Sequence, residues 1–242
     1  MFLFVRLYGG VLLLCLISLP VSGVVINEIR IDQPGPDRNE YFELAGHPGE
    51  SLDGLSYLVI GDSRHGASGV VEAVVNLDGH EIAADGFFLV AERSFSLGFP
   101  VDFNTRLNFE NNDNVTHLLV SGFSGSSGDD LDVDDDGVLD RSPWGAQLDA
   151  LALVASSGGG DRVYSTITIG PFGGAVPEHV GRVPDHNGIW QIGAGGLGAD
   201  TPGFANAPPR SVEVIAPPVW MLLPGFLVFL LTGARQAQKS IR

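Results

Sequence analysis

The chain has 242 residues, with 29 acids against 13 bases, a net charge of −16 and a single cysteine, Cys15. Once any leader containing Cys15 is removed, no disulfide, thiolate metal site or cysteine nucleophile is possible. Residues 24–209 hold 28 of the acids, eight arginines and no lysine, a net of −20 that repels phosphate backbones and argues against nucleic acid as a partner.

The chain opens with one positive charge, Arg6, ahead of an uncharged apolar run from Leu7 to Leu19 and the small residues Val21, Ser22 and Gly23. That three-part layout predicts a signal peptide over residues 1–23, with cleavage after Gly23 and export of the remaining chain. A retained anchor is the poorer reading, because the run is short for a membrane span and Pro20 breaks it.

Residues 24–207 read as one domain without a long linker. Short apolar and β-branched runs predict strands at Val24–Ile31, Glu40–Gly46, Ser56–Asp62, Val70–Leu77, Phe87–Glu92, Val115–Gly122, Leu148–Val154 and Val163–Ile169. Clusters of Gly, Pro, Asp and Asn punctuate them, and no stretch keeps a helical period with caps. The expectation is an all-β sandwich or barrel. An acidic loop insertion over residues 121–143 and the turn Ser156–Asp161 interrupt the rhythm.

Beyond the body, the proline-flanked residues 208–218 predict an extended stalk. Ala216 to Ala234 carries no charge over 19 residues, a length that reaches about 28 Å as a helix, so a transmembrane helix is expected over 219–234. The basic tail 235–242, with Arg235, Lys239 and Arg242, places the C-terminus on the cytoplasmic side and the body at the outer face of the membrane.

The order of VVINEIRI (Val24–Ile31), EYFELAG (Glu40–Gly46), LDGLSYLVI (Leu52–Ile60), FFLVAE (Phe87–Glu92), Trp190 and TPGFAN (Thr201–Asn206) resembles the bacterial lamin tail domain. The resemblance covers nearly the whole body. It implies an immunoglobulin-like β-sandwich that serves as an accessory or interaction module, and supplies no catalytic residues. The tail is similar to a PEP-CTERM sorting signal, with Ala216-Pro217-Pro218 where a sorting protease would act. Release after processing and a permanent single-pass anchor both remain open.

One constellation carries chemistry. Within residues 132–140, DVDDDGVLD, carboxylates stand at loop positions 1, 3, 5 and 9 and glycine at 6. Calcium needs hard oxygen donors alternating around a sharp turn, so the expected ligands are Asp132, Asp134, Asp136, the Val138 carbonyl and Asp140, helped by Asp129 or Asp130. Position 12 is Pro143 rather than glutamate, so this is not an EF-hand. The alternative is a solvated, disordered acidic loop.

The six histidines show no metal-pair spacing such as HExxH. Asp185-His186-Asn187 reads as a turn between Pro184 and Gly188. Gly193–Gly198 lacks the surroundings of a phosphate loop, and Asn114-Val115-Thr116 is a glycosylation sequon by pattern alone. The functional expectation is a non-enzymatic, calcium-stabilised module that is exported and bound to protein or carbohydrate of the envelope or matrix. The rival is a secreted metal-dependent hydrolase acting on phosphodiesters through the aspartate loop.

Overall fold

A computed structural model describes residues 4–7, 10–13, 23–61, 66–107, 109–156, 161–193 and 200–206, all within the compact unit Met1–Pro209. The rest of the expected signal peptide, and everything from 207 onward, lie outside the described residues. These include the expected stalk, membrane helix, basic tail and Ala216-Pro217-Pro218. Among the described residues no helix is long and apolar enough to cross a membrane.

The described elements are strands: β1 (Phe4–Leu7), β2 (Gly10–Leu13), β3 (Val25–Arg30), β4 (Tyr41–Ala45), β5 (Leu55–Gly61), β6 (Val70–Asn76), β7 (Phe87–Glu92), β8 (Phe103–Thr105), β9 (Val115–Ser121), β10 (Ala146–Leu153), β11 (Thr168–Ile169), β12 (His179–Val183) and β13 (Ile189–Ile192). β1 and β2 pair only with each other. The rest form a five-stranded sheet in the order β11-β10-β9-β5-β6 and a six-stranded sheet in the order β13-β12-β3-β4-β7-β8.

The two sheets share one core, so the protein is an all-β sandwich. Ile26, Phe42 and Val90 from one sheet meet Tyr57, Val59, Leu119 and Leu151 from the other. Phe42 and Tyr57 stack across the divide with ring centroids 3.7 Å apart and planes 3° from parallel.

Both outer faces are covered as well, which explains why β5 is buried along its whole length rather than alternating. Leu58, Ile60, Leu118 and Val120 lie under Leu131, Phe123, Leu139 and Trp144, all four from the acidic insertion or its exit. The insertion is therefore anchored on the sheet by its apolar residues, while the aspartate turn itself stays exposed. It also extends the sheet edge, because Gly128 and Leu131 donate to Val71 and Gly69 carbonyls at 2.7 and 2.9 Å, and Val71 donates to Asp129 at 2.9 Å. On the opposite outer face, Tyr41, Leu89 and Ala91 are covered by Phe95, Leu97, Phe99 and Val101.

Seven of the eight expected strands form. Of Val163–Ile169 only Thr168–Ile169 pairs, in parallel with β10. Tyr164 spends its N–H on Thr116 Oγ1 and its hydroxyl on Asp132, so the chain there crosses the outer face instead of joining the ladder. The unexpected β8, β12 and β13 are short edge or near-edge strands with polar residues or glycine among their apolar ones, too brief to show an alternation.

Two bulges redirect polar side chains. In β3 the register slips between Ile26 and Glu28, so Ile26 and Ile29 still face the core while Asn27 and Glu28 both turn to the outer face. In β10 it slips between Gln147 and Asp149. Asp149 then reaches across the sandwich, accepting from the Ile26 N–H at 2.9 Å and from Arg182 Nη2 at 2.9 and 3.0 Å.

Candidate functional site

The aspartate loop is built on a fixed base. Leu131 is fully buried, and Asp132 beside it has no exposed surface. Gly69 lies directly beneath, with a positive φ of 75°, and a Cβ there would come within 2.5 Å of Asp132 Cβ. Asp132 accepts from the N–H groups of Asp136 (3.1 Å) and Gly137 (2.9 Å) and from the Tyr164 hydroxyl (2.7 Å). Burial works to raise its carboxyl, but those donors and Arg162 outweigh it and hold the group below the usual carboxylate range. The sharp turn places Asp135 and Gly137 at φ of 56° and 89°.

Asp132, Asp134 and Asp136 converge, each offering an oxygen within 4.8 Å of the others. The Asp136 charge, with burial and Asp140 behind it, raises the Asp134 carboxyl. Such mutual repulsion is what a cation would relieve. Asp140 stands outside the convergent trio and closes the loop by accepting from the Val133 N–H at 2.8 Å. Val138 points its side chain to solvent and donates its N–H to Asp136 at 2.8 Å. Asp129 and Asp130 accept from Ser126 and Asp132 N–H groups, and so serve the turn itself.

A second polar centre was not foreseen. On the outer face of the six-stranded sheet, the β3 bulge sets Glu28 beside Tyr41 of β4 and His179 of β12, and the strap Asp200–Asn206 closes over them. Glu28 Oε1 lies 2.5 Å from His179 Nε2, also meets the Tyr41 hydroxyl, and accepts from the Thr201 N–H at 3.0 Å. Glu28 Oε2 accepts from Thr201 Oγ1 at 3.1 Å. Asp200 is held by Arg30 Nη1 at 2.7 Å from both oxygens and lies 3.1 Å from the Tyr41 hydroxyl.

Next to this group, Glu43 accepts from Asn27 at 2.9 Å and from the Gly203 N–H at 2.5 Å. Burial pushes the Glu43 carboxyl well above its ordinary value, and the Glu28 charge adds to this. Burial, followed by the Glu28 and Asp200 charges, likewise lifts the Tyr41 hydroxyl and keeps it protonated. The local sequence signal is two glutamates, Glu28 and Glu43, within largely buried strands. His179 escaped notice because its partners lie 151 residues before it and 21 after it, far outside any motif spacing.

Asp185, His186 and Asn187 do form the turn between β12 and β13, and Asp185 accepts from Asn27 and from the Asn206 N–H there. Asn114 is only 4% exposed, and its amide is taken by the backbone of Ala155, Ser156 and Asp161, so the folded body does not present the sequon. Comparison of the chain with family models, curated proteins and solved structures returns no match.

Proposed function

We propose that the protein is an exported, non-catalytic module of the cell envelope, a lamin-tail-like sandwich of immunoglobulin type. In this reading it is stabilised by calcium at Asp132, Asp134 and Asp136, with Val138 and Asp140 completing the shell. One observation carries the calcium part: three alternating carboxylates converge at the tip of a turn whose base is packed on the sheet. Both Asp132 oxygens already accept from protein donors, which fixes the orientation of that carboxylate before any ion binds.

The leader exports the body. The apolar tail either anchors it with a cytoplasmic C-terminus or is processed near Ala216-Pro217-Pro218 by a sorting protease. The partner is a protein or carbohydrate of the envelope or matrix.

Calorimetric titration of the chelator-treated protein tests the calcium site. At ten to a hundred times the dissociation constant, calcium stabilises by about 1.4 to 2.7 kcal/mol, and Asp134→Asn with Asp136→Asn abolishes the gain. Absence of heat, together with a melting temperature unaffected by chelation, refutes the site. Fractionation of expressing cells tests the address: the body accumulates in the membrane or outside the cell, and retention in the cytosol refutes export.

A further inference from the structure

We infer that Glu28, His179 and Asp200 form a second cation site, selective for a divalent transition metal of the zinc class and independent of the calcium reading. The donor set sets the class. An imidazole nitrogen with two carboxylate oxygens suits zinc, iron or cobalt, whereas the all-oxygen aspartate loop suits calcium.

The ligand atoms of the three residues lie within 4.8 Å of one another. Glu28 Oε1 and Asp200 Oδ1 sit 2.5 and 3.9 Å from His179 Nε2. Bonds of about 2.1 Å in a tetrahedron separate ligands by about 3.4 Å. An ion therefore opens the first distance by about 0.9 Å and closes the second by about 0.5 Å, shifts within the reach of side-chain torsions.

Two further observations point to a missing positive partner. The Tyr41 hydroxyl has one proton but faces an oxygen of Glu28, one of Asp200 and, at 3.2 Å, His179 Nε2, so it cannot donate to both carboxylates. At the far side, the Thr201 hydroxyl likewise faces Glu28 Oε2 and Asn206 Oδ1 with one proton.

Charge agrees. Arg30 bonds Asp200, and Glu28 beside it has no exposed surface on which to spread its charge into water.

The surroundings hold the donors in place. Arg30 orients Asp200, Thr201 orients Glu28, and Gly193 lies so close to the Nδ1 edge of His179 that no side chain fits there, leaving Nε2 aimed at the carboxylates. The Asp200 side chain, 19% exposed, is the route to solvent.

Cobalt titration of the chelator-treated full chain in excess calcium tests the site. The expected result is stoichiometric binding with a visible d–d spectrum, displaced by zinc and not by calcium. His179→Asn and Asp200→Asn abolish it, Asp134→Asn leaves it intact, and Arg30→Gln weakens it roughly 10- to 100-fold while sparing all three donors. Should His179→Asn fail to fold, Asp200→Asn at the rim decides. No cobalt spectrum, a spectrum that survives Asp200→Asn, or one displaced by calcium overturns the inference. Because the aspartate loop is read by calcium heat and this site by cobalt absorption, either can fail alone.

Discussion

His117 makes the sandwich sensitive to mild acid. Its ring lies in the core with no exposed surface, Nδ1 2.9 Å from the Tyr57 hydroxyl and edge-to-face with Phe109, while Nε2 has no hydrogen-bond partner. Burial alone lowers its pKa from 6.5 to about 3. Because the folded value is depressed, the unfolded chain takes up a proton near pH 6.5 while the folded one stays neutral. Stability is therefore complete above pH 6.5 and falls continuously as pH drops toward 3.

At about 1.4 kcal/mol per unit, the loss is about 2 kcal/mol at pH 5 and approaches about 5 kcal/mol at pH 3, a large share of a typical folding free energy. Carboxylates add their own slope, so the histidine contribution is read by difference. Urea unfolding is followed from pH 7 to pH 5 for Tyr57→Phe and for Tyr57→Phe with His117→Phe, a pair that leaves no buried hydroxyl orphaned. The double variant should lose about 2 kcal/mol less over that interval. Parallel pH profiles for the two would refute the argument.

Other substitutions probe the joints of the fold. Asp149→Asn keeps the shape but breaks the ion pair with Arg182 between the sheets, where both side chains are nearly buried, and should cost about 3 kcal/mol in chemical denaturation. Gly69→Ala forces a Cβ against Asp132 at a positive φ and should cost about 2 kcal/mol, with calcium affinity falling in the same protein. Leu131→Ala removes the buried anchor of the acidic layer. A loss of about 2 to 5 kcal/mol is expected in denaturant melts, together with exposure of the Trp144 fluorescence to quencher. If the insertion were a dangling loop, Leu131→Ala would leave both readouts unchanged.

The strands that were legible in advance are those where a predominantly apolar and β-branched stretch is itself the signal, such as Tyr41–Ala45, Leu55–Gly61 and Val115–Ser121. Tyr164 misled because its apolar neighbours imply pairing, whereas its N–H and hydroxyl are claimed by Thr116 and Asp132 from other parts of the chain. The aspartate loop was legible for a local reason: calcium chemistry needs its donors within one turn, so nine consecutive residues, 132–140, carry the whole pattern. Its packing was not legible, since Leu131 and Trp144 look like isolated apolar residues in a polar loop until the outer face of the sheet is there to receive them.

Contiguous residues alone thus determined the all-β character, the acidic surface and the spacing of the calcium-type loop, because periodicity and turn chemistry act over a few bonds. Which faces are covered, and the meeting of Glu28, His179 and Asp200, were decided only in three dimensions. A bulge must turn Glu28 outward, β12 must pair antiparallel with β3 so that His179 falls opposite Arg30, and the strap must return to the same face. Each condition is a long-range pairing, selected by burial of the shared core rather than by any property of the residues that end up in the site.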